Sequence, residues 1–262
     1  ILTNTLPTVK DLKCKGDNSG EIELIVIGGT KPYTATLNTG QKASSDASGK
    51  IVFQNVVAST SYTISLVDAN ECTIPEIMVP EVKEPADAFA LTTPIIDYPI
   101  PCYKETTTLR VSATGGKPGS EVTYRLQGGD YIAKDTTVTT VGTGVFTNIQ
   151  AGTYDIVATN ADGCSSTYPY FVVEDPDTLK VSHKKFDVVC NDGQPTGKIA
   201  VSITGGTSGY SYALKGSSST FVPLVSANDT IKNLVSGTYK LVIRDANGCK
   251  TPEKDVVIGV PD

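Results

Sequence analysis

Residues 198–204 (Lys198-Ile199-Ala200-Val201-Ser202-Ile203-Thr204) alternate apolar with small or polar side chains at a period of two, which predicts a strand with one buried face. Residues 239–244 and 255–260 form two further runs of this kind. Residues 21–27, 62–67 and 74–79 match them in the same order earlier in the chain. No window carries a sustained apolar period of 3.6, and glycine, proline, serine and threonine punctuate the short runs. The pattern predicts an all-β chain built from immunoglobulin-like sandwiches.

The alternation is phased by landmarks that recur three times in one order. Glycine pairs stand at Gly28-Gly29, Gly115-Gly116 and Gly205-Gly206, and a tyrosine-bearing run follows each, at 33–37, 122–126 and 210–214. An apolar-x-Asn-apolar step then places Asn55, Asn148 and Asn233, and a tyrosine opens the next strand at Tyr62, Tyr154 and Tyr239. A turn closes each set: Asp68-Ala69-Asn70-Glu71-Cys72, Asn160-Ala161-Asp162-Gly163-Cys164 and Asp245-Ala246-Asn247-Gly248-Cys249. Such a period marks an internal repeat. It predicts three sandwich units at residues 1–83, 84–175 and 176–262. Asp162-Gly163 and Asn247-Gly248 predict type I′ hairpins with positive φ at both central residues, while Asn70-Glu71 predicts a different or strained turn. The three strand-opening tyrosines fall where a sandwich places a tyrosine corner.

Each unit holds a leading and a closing cysteine: Cys14 and Cys72, Cys102 and Cys164, Cys190 and Cys249. Their near-constant spacing predicts one disulfide within each unit. Units of roughly 85 residues have small cores, and closing a loop of about 60 residues contributes ~4 kcal/mol in the chain-entropy picture. The Cα atoms of a cystine lie within about 7 Å of each other. With antiparallel neighbours, an even number of strands must therefore separate the two cysteines. The first unit offers four, at 21–27, 33–37, 51–56 and 62–67. The other units add a segment each, 131–140 and 221–225, expected as short edge strands or loops. Each pair would then pin two strand ends at one pole. No Cys-x-x-Cys spacing occurs, which argues against zinc and redox motifs and for an oxidising compartment. Buried free thiols in a reducing compartment are the alternative.

Charge and hydropathy narrow the partners. The chain has 22 basic and 28 acidic residues, a formal charge of −6, and no basic cluster, so nucleic acid and anionic membrane are poor partners. No apolar stretch approaches the ~20 residues that span a bilayer, so no membrane insertion is expected. The first residues lack a signal peptide's charged and apolar regions. Both ends coincide with unit boundaries, which predicts a monomeric segment of a longer exported array. Linkers 80–85 and 174–177 are short and rich in proline and acid, and proline stiffens such segments. Three units in line would make a rod on the order of 100 Å long.

Candidate chemistry is sparse. His183 is the single histidine, so no histidine-based triad or multi-histidine metal site forms within this chain. It reads as a solvated strand residue. No Gly-x-Ser-x-Gly elbow occurs, and residues 193–198 fall one position short of a phosphate loop. No catalytic residue is expected. The Asp and Asn side chains of the closing turns suit turn geometry. Calcium is the alternative there, and also at the linker acids Glu174, Asp175 and Asp177. Tyr168 and Tyr170 are a candidate sugar-contact patch, with core or edge packing the plainer reading. Asn228-Asp229-Thr230 is the lone N-glycosylation sequon.

The run from Cys190 through Gly197-Lys198-Ile199-Ala200-Val201, Gly205-Gly206, Tyr212, Asn233-Leu234 and Gly237-Thr238-Tyr239 to the turn at 245–249 resembles the SprB repeat. That repeat belongs to very large cell-surface adhesins of gliding Bacteroidetes. The likeness spans the three units and is strongest in the third. The first departs at Glu71 and at Ser59-Thr60-Ser61. The second exchanges Asp and Asn in its closing turn and lacks a clear glycine after Cys102. The resemblance implies a non-enzymatic, filament-like adhesin, without cofactor, exported by the type IX pathway and carried by the gliding motor. Its repeats would space and stiffen the molecule and meet an external surface or polysaccharide. O-glycosylation at Thr136, Thr178 and Thr230, each directly after an aspartate, is implied as well. Two other functions stay open: a polysaccharide-binding module with an exposed aromatic groove, and a non-catalytic accessory region of a secreted enzyme.

Overall fold

A computed structural model describes residues 1–116, 119–128, 136–190, 193–215 and 220–260. Among the described residues every regular element is a strand, and no helix is long and apolar enough to cross a membrane. Buried side chains gather in three clusters that follow one another along the chain. In the first, Ile22, Leu24 and Val26 of Gly20–Ile27 lie with Ile51 and Phe53 of Lys50–Val56. They meet Ala35 and Leu37 of Thr34–Leu37 and Ile64 and Leu66 of Thr63–Val67. Inward residues two apart are what a pleated strand presents to one face.

Two sheets enclose each cluster. In the first sandwich, Gly20–Ile27 pairs with Thr3–Asn4, Thr8–Lys10 and Lys50–Val56. The facing sheet runs Lys42–Ser44, Thr34–Leu37, Thr63–Val67, Ile77–Met78. The third sandwich repeats this, with Lys180–Phe186, Gly197–Thr204 and Asn228–Leu234 facing Val222–Pro223, Ser211–Lys215, Gly237–Arg244 and Lys254–Ile258. The second sets Ile95–Ile96, Thr107–Val111 and Gly144–Ile149 against Thr136–Thr140, Val122–Gly128, Gly152–Asn160 and Ser165–Val173. All are antiparallel, immunoglobulin-like sandwiches. The last run of the first sandwich shortens to Ile77–Met78 because Pro75 and Pro80, which cannot donate to a ladder, flank it.

The recurrent landmarks have local causes. Asn55, Asn148 and Asn233 each adopt φ 59°. Each sits where the ladder with the preceding long strand shifts register, near Gly20, Thr107 and Gly197. Asparagine tolerates this left-handed backbone, so it supplies the extra residue of a bulge. The tyrosine corners form as expected: the hydroxyls of Tyr62, Tyr154 and Tyr239 donate to the carbonyls of Val57, Gln150 and Val235 at 3.1, 2.9 and 3.0 Å. The glycine pairs admit close approach. A Cβ on Gly28, Gly115 or Gly205 would lie 1.9, 2.2 or 2.2 Å from the carbonyl oxygen of Ile1, Ala88 or Thr178. The chain entering each sandwich therefore presses against backbone that no side chain could share.

Two expectations need correction. The closing turns at Asp162-Gly163 and Asn247-Gly248 carry one left-handed residue, not two, at Gly163 and Gly248 with φ 88° and 90°, and Glu71 holds the same position at φ 66°, the backbone strain expected there. They match a three-residue loop, a type I turn followed by one left-handed position, and not type I′. The strand count also changes. Thr136–Thr140 and Val222–Pro223 are edge strands as expected, with residues 131–135 outside the described residues. The first sandwich has the counterpart Lys42–Ser44, which alternation over three residues cannot reveal. Five strands, not four, thus lie between leading and closing cysteine in every sandwich, with Thr107–Val111 and Ala113–Thr114 of the second counted as one crossing interrupted at Ser112. An odd number of reversals puts the two cysteines at opposite poles.

The bulge asparagines yield a direct test. Asn148→Ala is expected to cost about 1–2 kcal/mol by forcing alanine into left-handed backbone, and Asn148→Gly to restore most of it. Denaturant midpoints of the two variants measure the difference.

Candidate functional site

The distinctive chemistry of the chain lies at the two junctions between consecutive sandwiches. Cys14 is bonded to Cys164 and Cys102 to Cys249, each with a Cα–Cα separation of 5.6 Å. Cys72 and Cys190 are free and exposed. This overturns the expected pairing of Cys14 with Cys72, Cys102 with Cys164, and Cys190 with Cys249. The physical reason is the odd strand count. A leading cysteine sits at the pole where the chain leaves its sandwich, and a closing cysteine at the pole where the chain enters its sandwich. Nearest partners therefore belong to different sandwiches.

The closing cysteine is held by a side-chain clamp. Asp68 accepts the amides of Asn70 and Cys72 on one carboxylate oxygen and that of Thr30 on the other, all at 2.9 Å. Asp245 does the same for Cys249 and Thr207 at 2.9 Å. Thr30 and Thr207 follow the glycine pairs, so the clamp ties the closing turn to the loop where the chain comes in. At Asn160 the side-chain oxygen keeps the Cys164 amide, at 2.9 Å. Its buried Nδ2 finds no acceptor among the described residues. The Thr30 amide, with those of Cys72 and Asn70, holds the Asp68 carboxyl below its ordinary value of 3.8, outweighing burial.

The leading cysteine is held by the linker. Glu84 accepts the amide of Gly16 at 2.8 Å, and Asp175 accepts that of Lys104 at 3.1 Å. Both donors stand two residues after a leading cysteine and have left-handed backbone, φ 76° and 66°. Across the first junction, Lys15 Nζ donates to the Ala86 carbonyl at 2.6 Å. The Cys164 sulfur lies 3.4 Å from the carbonyl oxygen of Lys13, and the Cys249 sulfur 3.2 Å from that of Pro101. Asn247 Nδ2 donates to the same Pro101 carbonyl at 3.1 Å and to Thr207 Oγ1 at 3.0 Å.

Other residues singled out by sequence lie apart. Of the linker acids, Asp175 is engaged by Lys104, Glu174 is exposed, and the main-chain carbonyl of Asp177 accepts the Gly206 amide at 2.9 Å. Among the described residues no three His, Cys, Asp or Glu side chains gather into a metal-binding group. His183 is an exposed strand residue. Thr178 is exposed, Thr230 is half-buried in Asn228–Leu234, and Thr136 lies in an edge strand with its side chain outside the described residues. Tyr168 packs edge-to-face on Phe171, whereas Tyr170 is 78% exposed on left-handed backbone. Sequence reasoning missed the linker carboxylates as loop clamps. The signal was available in the equivalent positions of Glu84 and Asp175.

Comparison with known proteins gives a family at two places. Residues 6–42 and 186–219 match the family model described as SprB repeat. Each match contains a leading cysteine and the glycine pair after it. The chain carries SprB-type repeat sequence. No curated protein sequence matches it. Three N-terminal domains of the bacteriophage RB49 outer capsid protein Hoc are similar in structure, at 13% identity over 100% of both chains with a TM-score of 0.40. A structure of a 1.5-MDa bacterial ice-binding adhesin is similar at 11% identity over 98% of each chain, TM-score 0.40. The fibronectin(III)-like modules of Clostridium thermocellum CbhA are 20% identical over 64% of this chain and 94% of theirs, TM-score 0.30.

The connectivity is checked by cutting one linker. With a protease site inserted after Asp87, the cleaved protein is expected to run as one species until reduced and as two afterwards. Unfolded without reduction, the chain should titrate two thiols; pairing within each sandwich would give separation without reductant and no thiol. Asp68 gives a pH test. Its folded-state pKa is depressed, so its contribution is complete above about pH 4 and is lost as pH falls through the lower folded value. Asp68→Asn is expected to lower the melting temperature at neutral pH and to make the acid-induced loss shallower, as followed by circular dichroism.

Proposed function

We propose that the three sandwiches are three SprB-type repeats, at residues 1–83, 84–175 and 176–262, in the stalk of a large secreted cell-surface adhesin. The segment is non-catalytic, works in surface attachment and gliding, and reaches the surface by the type IX pathway. The observation that carries this reading is the double connection at each junction. A linker and a cystine both cross it, and the linker carboxylates Glu84 and Asp175 bind the loops that hold the leading cysteines.

Two tethers at separate points restrain bending and rotation between neighbours, where one tether would leave a hinge. The loops closed are long, 150 and 147 residues. Closing either contributes about 5 kcal/mol in the chain-entropy picture, and the two overlap, so their contributions do not simply add. Load also has a defined covalent route. It crosses from Cys14 to Cys164, runs back through the second sandwich to Cys102, and crosses to Cys249. A stalk drawn over a surface needs such resistance at its joints, while its contacts with polysaccharide or another external surface are made along its length or beyond it.

Small-angle scattering before and after mild reduction tests the stiffening role. The oxidised chain is expected to have a maximum dimension on the order of 100 Å. Reduction should lower its radius of gyration by freeing the joints while the far-ultraviolet circular dichroism stays β-type. A radius unchanged by reduction would refute the role assigned to the cystines.

A further inference from the structure

The two free cysteines are of complementary kinds. Cys190 is a leading cysteine and Cys72 a closing one, and the structure twice shows a leading cysteine bonded to a closing one. We propose that the pole bearing Cys190 and the pole bearing Cys72 are two halves of the same joint. A second copy of this chain, docked head to tail, would then be captured by a Cys190–Cys72 disulfide. The inference rests on the geometry of the joints and not on the adhesin reading.

Each half is already shaped as in the bonded joints. Two residues before the leading cysteine, Leu12, Ile100 and Val188 are buried at 5%, 4% and 6% exposure. Leu12 and Val188 are anchored alike, their amides donating to the carbonyls of Lys83 and Gly259 at 2.9 and 3.2 Å. Asp11 and Asp187 accept the amides of the same two residues, Lys83 and Gly259, at 2.8 and 2.6 Å. On the other half, the Cys72 amide is clamped by Asp68 just as the Cys249 amide is by Asp245.

One side chain shows what is missing. Asn247 spans a joint, donating to Thr207 Oγ1 and to the Pro101 carbonyl beside the leading cysteine. Asn70 holds the corresponding pose, donating to Thr30 Oγ1 at 2.8 Å. The carbonyl that would complete its pattern is that of Val189, the residue before Cys190. Val189 is 71% exposed. Cys72 and Cys190 are exposed, whereas of the bonded cysteines Cys164 is buried and Cys14, Cys102 and Cys249 are half-buried.

The bond forms by thiol–disulfide exchange with a small external disulfide such as oxidised glutathione. The Cys190 thiolate attacks it, giving a mixed disulfide and one released thiolate. The Cys72 thiolate of the second copy then attacks the Cys190 sulfur and displaces the other. Two protein thiols are oxidised, one external disulfide is reduced to two thiols, and the two protons end on those thiols.

The test uses the full chain as Cys72→Ser and Cys190→Ser variants, with melting temperatures compared to the parent first. Each is incubated at high concentration in a glutathione redox buffer, alone and mixed, and read by non-reducing gel and peptide mass. The mixture is expected to give one covalent dimer joined Cys190 to Cys72, at least tenfold above either variant alone, and the parent chain a ladder of multimers. Asn70→Ala in the Cys190→Ser partner should reduce the dimer several-fold. Symmetric dimers matching the mixed one in yield, or glutathione adducts without dimer, would overturn the proposal. Neither result would bear on the adhesin reading, since the assay measures no adhesion.

Discussion

Five strands separate the leading from the closing cysteine in each sandwich, and this odd number governs the rest of the architecture. Antiparallel neighbours reverse direction at every turn, so five crossings carry the chain from one pole to the other. Cystine geometry then forbids a bond within the sandwich, because a pole-to-pole distance of several strand residues far exceeds the ~7 Å limit. The sulfurs find partners only where the exit pole of one sandwich meets the entrance pole of the next. What would have been an internal staple becomes a fastener between neighbours.

The loops around each cysteine serve that placement. Asp68, Asn160 and Asp245 hold the closing cysteine amide from below, and Glu84 and Asp175 hold the leading loop from the linker. The glycine pairs let the incoming chain press against the same pole. Clamp, linker and close approach meet at one place, so the cystine forms between segments that are already ordered. Of the acids that sequence offered as cation ligands, Asp175 in the linker and Asp68 and Asp245 in the turns have main-chain amides as partners.

Much of the fold was legible because its signals are local. Ile199, Val201 and Ile203 announce a one-sided strand by period alone, and they are buried in the third core. Tyr62, Tyr154 and Tyr239 declare their corners by position, and Asn55, Asn148 and Asn233 their bulges by residue type. Lys42–Ser44 was not legible, since three residues of mixed character at a sheet edge carry no period and owe their pairing to Thr34–Leu37. That one short strand reversed the parity of the first sandwich. In the others, 131–140 and 221–225 were visible as segments, but whether they crossed the sheet is a tertiary question.

The sequence by itself determined an all-β chain, its three-fold phase, the residues at each turn, and two kinds of cysteine. It could not choose partners among them. A regular period is unchanged when every closing cysteine is shifted by one unit, so spacing supports pairing within a sandwich and pairing between sandwiches equally. Only the tertiary structure decided, because partner choice depends on which pole each sulfur occupies and on which poles adjoin. Those are properties of the path through space, set by a strand count that no single stretch of residues records.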